Sequence, residues 1–165
     1  MIGTQSKVHT IGVADMKVSD DPDSTLVTYS LGSCLGIVIY DPVAKVGGLL
    51  HVMLPEANEN KNSKGFNPCK YVDTGVPVLF KKAYKYGAKK NRMIVAVTGG
   101  SQILDESGFF NIGKRNLASL RKLFWKNGVM VDKEHVEGNV ARTVRLNILD
   151  GAITVSICRD KVIIL

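Results

Sequence analysis

A cysteine between glycines occupies Leu31-Gly32-Ser33-Cys34-Leu35-Gly36, at the junction of two β-like runs. Glycine removes side-chain bulk and tolerates φ > 0, so neighbouring N–H groups can converge on an oxyanion formed beside the sulfur. The spacing imitates a nucleophile elbow. An elbow opens a helix, however, and Ile37-Val38-Ile39-Tyr40 is β-branched and reads as a strand. An isolated thiol has a pKa of roughly 8.5 and is mostly protonated at neutral pH, so it needs a base. His51 suits that task, because imidazole titrates near neutrality and can later return the proton to a leaving amine.

Whether the two groups meet depends on the hairpin between them. Asp41-Pro42-Val43-Ala44 suits a type I turn, with Asp at the first position and Pro at the second. A four-residue loop there pairs Tyr40 with Lys45, and counting back along both strands sets Cys34 opposite His51. Directly opposed residues have Cβ atoms roughly 4.5–5.5 Å apart. A register shifted by one residue would put them on opposite faces. A third group should orient the imidazole through its other nitrogen. Thr28 offers a hydroxyl in the preceding strand, and by position alone Thr25 and Ser30 serve as well.

The elements that must hold these residues are short. Val8–Val13, Thr25–Tyr29, Leu35–Tyr40 and Val46–Met53 are apolar runs separated by turn formers and read as four strands. Residues 55–70 crowd Glu, Asn, Lys, Gly and Pro without periodicity, which marks a surface loop. A helix is predicted from Asp73 or Thr74 to about Tyr86, with Pro77 in its first turn and Gly87 as its stop. Met93–Val97 is a strand. Asn111 caps a second helix carrying Ile112, Leu117, Leu120, Leu123 and Phe124 on one face before Gly128. Val129–Val131, Thr143–Leu149 and Ala152–Cys158 return to β, with Asp150-Gly151 as a hairpin turn. The sum is an α/β layered sandwich with largely antiparallel or mixed sheet.

The totals narrow the function classes. A chain of 165 residues fits one domain, 1–165, and its 45% hydrophobic and 22% charged content is ordinary for a globular protein. No stretch approaches the roughly 18 uncharged apolar residues that span a bilayer, and Met1–Lys7 lacks the apolar core of a secretory signal, so a cytoplasmic location without membrane insertion is expected. Cys34, Cys69 and Cys158 match neither a disulfide framework nor a zinc pair and are expected to be free thiols. The net charge of +7 would suit an acidic partner, but the Lys and Arg of both helices are interleaved with apolar positions and read as solvated faces. No aromatic-basic motif supports nucleic-acid binding.

Thr28-Tyr29-Ser30-Leu31-Gly32-Ser33-Cys34, then Tyr40-Asp41, then Gly47-Gly48-Leu49-Leu50-His51-Val52-Met53-Leu54-Pro55 resemble the signature of the CheD family of chemoreceptor glutamine deamidases. Lys70-Tyr71-Val72-Asp73, Gly87-Ala88, Gly99-Gly100 and Asn111-Ile112-Gly113-Lys114-Arg115-Asn116 extend the likeness over most of the chain. The resemblance implies a protein-glutamine glutaminase, an amidohydrolase that converts receptor glutamines to glutamate and ammonia in chemotaxis. It implies a catalytic set of Cys34, His51 and Thr28 and no cofactor. It also implies chemoreceptor cytoplasmic helices as substrate, a CheC-type phosphatase as regulator, and an α/β/β sandwich similar to the catalytic domain of cytotoxic necrotizing factors. A mainly regulatory, CheC-binding role is the alternative. The sequence departs from the family pattern at Gly138-Asn139, where a Gly-Gly pair is usual, which bears on a loop geometry.

Other chemistry-bearing residues read as structural. Cys69 lies in a polar loop, and Cys158 ends an apolar strand where burial is expected. His9 and His135 have no cluster at metal-ligand spacing and read as satisfied or exposed. Trp125 with Phe124, and at least one ring of Phe109-Phe110, are expected in the core.

Overall fold

The computed structural model describes residues 5–103 and 108–165. The start of Met1–Lys7 and the Asp105-Glu106-Ser107 stretch before the phenylalanine pair lie outside them. The elements follow as β1 (Lys7–Thr10), β2 (Asp15–Ser19), β3 (Ser24–Leu31), β4 (Leu35–Asp41), β5 (Val46–Val52), α1 (Val72–Lys85), β6 (Ile94–Gly99), α2 (Ile112–Asn127), β7 (Lys133–Val136), β8 (Arg142–Asn147), β9 (Ile153–Ile157) and β10 (Lys161–Ile164). They form two five-stranded sheets, ordered β1-β3-β8-β9-β10 and β2-β5-β4-β6-β7. The β1–β3 and β6–β7 pairs are parallel and the rest antiparallel.

Strands β4 and β5 are buried at every position, which a strand tolerates only when both its faces are covered. Alternation divides their side chains between two cores. Leu35, Ile37, Ile39, Leu50 and Val52 pack under the helices against Val76, Leu79, Leu117, Leu120 and Phe124. Val38, Tyr40 and Leu49 face the other sheet and meet Leu26, Leu31, Val144 and Leu146. The layers are therefore helices, sheet, sheet, the α/β/β order expected. Among the described residues, no helix is long and apolar enough to cross a membrane.

Several local expectations are corrected. The first strand ends at Thr10, because Ile11 turns inward to bond Val27 O and Ala14 adopts φ 56°. Two strands are absent from the sequence reading: β2, which is short and mostly polar, and β10, a short apolar run, Val162-Ile163-Ile164, after Lys161. Helix α1 starts at Val72, so Pro77 lies inside it rather than in the first turn. Asn111 precedes α2 in the left-handed region, φ 49°, without a side-chain cap bond. Residues 129–131 are a connector, with Val129 N–H closing onto Phe124 O, and the strand follows at β7. Trp125 is 82% exposed, since the buried stripe of Gly113, Asn116, Leu117, Leu120 and Phe124 leaves the next position outside. Cys158 is exposed in the β9–β10 turn at φ 59°, because a second hairpin follows where a strand end was expected.

Asp41 determines the hairpin between β4 and β5. Fully buried, it accepts Val43 and Ala44 N–H at 2.9 and 3.1 Å, Lys89 N–H at 2.8 Å and the Arg92 guanidinium at 2.6 Å. Burial alone would raise its pKa, but Arg92 and the three N–H groups outweigh that and hold it at about 2. Asp41→Ala leaves a guanidinium and three N–H groups unpaired, and should cost about 3 kcal/mol of stability in urea titration. In the wild type this contribution is complete above the ordinary carboxylate range near ~4 and is lost as pH falls toward about 2. The acid limb of stability should therefore flatten in the variant.

Candidate active site

Capping by Asp41 changes the register that the sequence suggests. Asp41 remains in the strand, opposite Val46, and the loop is Pro42–Lys45 with Lys45 at φ 55°. Tyr40 thus pairs with Gly47 rather than Lys45, and His51 stands opposite Gly36 rather than Cys34. The shift is even, so the face is preserved. Cys34 still packs against the core between the sheets, where Thr28 meets His51, but it sits diagonally from His51 at the mouth of β4.

His51 is 2% exposed and Thr28 fully buried. Thr28 Oγ1 donates to Ile11 O at 2.7 Å and lies 2.7 Å from His51 Nδ1. A hydroxyl has one proton, and the carbonyl can only accept, so Thr28 accepts from Nδ1–H. That fixes the tautomer. The Nε2 lone pair is left without a hydrogen-bond partner among the described residues. Of the three hydroxyls open by position, Thr28 is the one that bonds His51, while Ser30 lines the cleft beside Cys34. Burial pushes the His51 pKa down and keeps the ring neutral. Burial pushes the Cys34 thiol up, offset in part by its own N–H. At rest the pair is therefore a thiol and a neutral imidazole, with no thiol–imidazole hydrogen bond formed.

The thiol opens onto a cleft of about 630 Å3 whose lining includes Gly32, Ser33, Gly100, Ile103, Phe110 and Gly138. A bulge between Thr28 and Leu31, with Ser30 at φ 56°, carries the chain into the cysteine turn. Every carbonyl of that turn is engaged: Gly32 O by Ser101 N–H at 2.8 Å, Ser33 O by Asn116 Nδ2 at 3.0 Å, and Cys34 O by Gly100 N–H at 3.0 Å. Gly99 adopts φ 101°, and a Cβ there would lie 2.2 Å from Cys34 O. The Gly99-Gly100 pair is thus a seat for the turn.

Arg142, which the sequence did not single out, buttresses the far wall. Only 3% exposed, it donates to Ser101 Oγ at 2.6 Å, Glu137 O at 2.7 Å and His135 Nδ1 at 2.7 Å. The wall carries the Gly138-Asn139 departure. Two successive residues are left-handed, Glu137 at φ 65° and Gly138 at φ 76°, whereas Asn139 is not, so the Asn139 position itself does not call for glycine. His9 bonds Ser24 Oγ at 3.1 Å, so both outlying histidines are satisfied. Both rings of Phe109-Phe110 are largely exposed, at 81% and 63%, contrary to the expected burial, and stack edge-on with centroids 5.0 Å apart.

The family model described as CheD chemotactic sensory transduction matches residues 53–157. A Syntrophus aciditrophicus protein named probable chemoreceptor glutamine deamidase CheD 1 is 47% identical over 145 residues, 88% of this chain and 91% of that protein. This chain belongs to the CheD family. A Solibacter usitatus CheD of the same description is 44% identical over 86% of this chain and 83% of that protein. The C-terminal domain of CNFy from Yersinia pseudotuberculosis aligns with 96% of this chain and 61% of that chain, at 8% identity and TM-score 0.39, too distant to bear on function. Within this CheD chain the matched segment begins just past His51. It contains Gly99, Gly100, Asn116 and Arg142, the residues that hold the cysteine turn and the cleft wall, while Thr28, Cys34 and His51 precede it.

Gly99→Ala should displace the cysteine turn, since both its φ and the Cys34 carbonyl forbid a methyl group. Iodoacetamide labelling of Cys34, followed by peptide mass mapping, should change rate by more than tenfold, with a loss of about 2 kcal/mol in stability.

Proposed function

We propose that this chain hydrolyses glutamine side-chain amides in the cytoplasmic helices of chemoreceptors, with Cys34 as nucleophile, His51 as base and Thr28 as the residue that orients it. The observation that carries the reading is the His51 tautomer. Nδ1–H is committed to Thr28, and the buried Nε2 lone pair, on the core side that also receives Cys34, has no hydrogen-bond partner among the described residues. Glutamine deamidation, the activity for which the relatives are named, is chemistry that such a pair performs.

Because the thiol is protonated at rest, proton transfer accompanies attack. Rotation of the cysteine side chain brings Sγ toward Nε2, a tightening that catalytic hydrogen bonds commonly undergo when substrate binds. Nε2 takes the thiol proton as sulfur bonds to the glutamine Cδ, and the carbonyl electrons move onto oxygen. N–H groups of Ser33 and Cys34 hold that oxyanion. The imidazolium then gives its proton to the amide nitrogen, and ammonia leaves as the thioester forms. Water, deprotonated by Nε2, adds to the thioester; collapse expels the thiolate, which recovers the proton, and glutamate is released. No step calls for a cofactor.

The exposed Phe109-Phe110 pair and the cleft beside it, which Phe110 lines, form an apolar face that a receptor helix would cover. A CheC-type phosphatase is the proposed regulator, and the alternative of a mainly regulatory chain rests on that partner. Co-elution with a purified CheC-type phosphatase, without any ammonia release from a chemoreceptor cytoplasmic fragment, would favour the alternative.

Cys34→Ala should abolish Gln-to-Glu conversion of such a fragment, read by mass spectrometry, while leaving the fold intact. Retained conversion would rule the mechanism out. Thr28→Val removes the acceptor for Nδ1–H and should lower kcat about tenfold or more. For the wild type, kcat/KM should fall at acid pH only below the ordinary imidazole range, because burial lowers the His51 pKa, and at alkaline pH only above the usual thiol range. An acid limb above pH ~6.5 would contradict a buried neutral base.

A further inference from the structure

Asn116 on α2 is fully buried, and its amide makes two hydrogen bonds, both from Nδ2: one to Ser33 O and one to Met53 O, each 3.0 Å. Its Oδ1 is buried without a partner among the described residues. Flipping the amide would aim an oxygen at two carbonyls, so the assignment is set by the acceptors. A buried orphan acceptor is costly, and a side chain that retains one is held for what its other atom does. Here that atom ties the peptide just before Cys34 to the residue just after β5, the strand that carries His51.

The peptide link fixes the consequence. In a trans, planar peptide the C=O of one residue and the N–H of the next point in opposite directions. With Ser33 O held toward Asn116, the Cys34 N–H faces away from the Asn116 amide. The same rule applied to Gly32 O, held by Ser101 N–H, orients the Ser33 N–H. Gly113, one turn earlier on α2, packs so closely that a Cβ there would lie 2.6 Å from Gly100 O, so the helix start presses on the loop that also holds the Cys34 carbonyl.

We propose that Asn116 is a positioning residue for the reaction: its two Nδ2 hydrogens clamp the cysteine turn to the end of β5, setting the Cys34–His51 spacing and aiming the Cys34 N–H as the oxyanion donor. The inference rests on the reading of Cys34 and His51 given above. It assigns to α2 a part in the chemistry although none of its side chains touches the thiol or the imidazole in the described contacts.

The experiment compares Asn116→Asp, which keeps the volume and loses the paired donors, with Asn116→Ser, which supplies at most one donor. Near-UV circular dichroism reports the fold, and the iodoacetamide rate at Cys34 against pH is measured by peptide mapping of the whole chain. Turnover uses a chemoreceptor cytoplasmic fragment. Expected are a native spectrum in at least one variant, kcat lowered about thirtyfold with KM within about twofold, and a displaced pH profile of Cys34 alkylation. A folded variant with wild-type kcat and alkylation profile would overturn the proposal, as would loss of the native spectrum in both, which would make Asn116 purely structural. Cys34→Ala in parallel separates the two readings. If that variant still turns over, the nucleophile assignment fails; if it is inactive while the folded Asn116 variants are not, only the positioning role fails.

Discussion

The site depends on one hydrogen bond that passes between sheets. Thr28 belongs to the outer sheet and His51 to the central one, and their 2.7 Å contact exists only because the two sheets pack face to face over the Leu26, Val38, Leu49 and Leu146 layer. The bond also has a direction. Ile11 O takes the threonine proton, which leaves the hydroxyl free only to accept, and this selects the imidazole tautomer with its lone pair on Nε2. Sheet packing, tautomer and basic atom are thus one constraint seen at three scales.

Burial acts on the two reactive groups in opposite senses but toward the same end. It lowers the histidine pKa and raises that of the thiol, so the resting site carries no charge pair in a region that could not solvate one. In the proposed reaction an ion pair arises there only when the cleft is filled, and the surrounding backbone has to be ready for it. The turn is prepared in that sense. Its three carbonyls are bound by Ser101, Asn116 and Gly100, which leaves little freedom in the peptides around the cysteine. Arg142 does for the opposite wall what Asn116 does for the turn, joining Ser101 and residue 137 with a buried guanidinium whose acceptors among the described residues are neutral.

Several surface features follow from the same layering. Because helix, sheet and sheet consume the apolar stripes of both helices and the two central strands, residues one position off those stripes are left outside, as Trp125 shows. The Phe109-Phe110 pair is different, since it leads into α2 where the cleft opens. Phe110 lines the same cleft as Cys34, whereas Trp125 is an isolated exposed ring on the outer face of α2.

The sequence by itself determined the chemistry-bearing residues, the strands on either side of the cysteine and the layered fold class, because these are local: a β-branched run, a proline turn, glycines around a thiol, and apolar periodicities of two and 3.6. The even face shared by Cys34 and His51 was legible too, since period-two alternation survives a slip of two residues. The true register was not, because it depends on Asp41 capping its own turn while being held from below by Arg92 and Lys89, about fifty positions away in the chain. The family resemblance names Thr28, but position alone does not separate it from Thr25 or Ser30, and its contact with His51 depends on the second sheet; Asn116 closes a family-like stretch without showing what it bonds, and Arg142 carries no pattern of its own. Asn116 bonds two backbone carbonyls, and Arg142 bonds a carbonyl together with the Ser101 and His135 side chains; such acceptors occur all along the chain, so only the tertiary structure decides which ones a side chain meets.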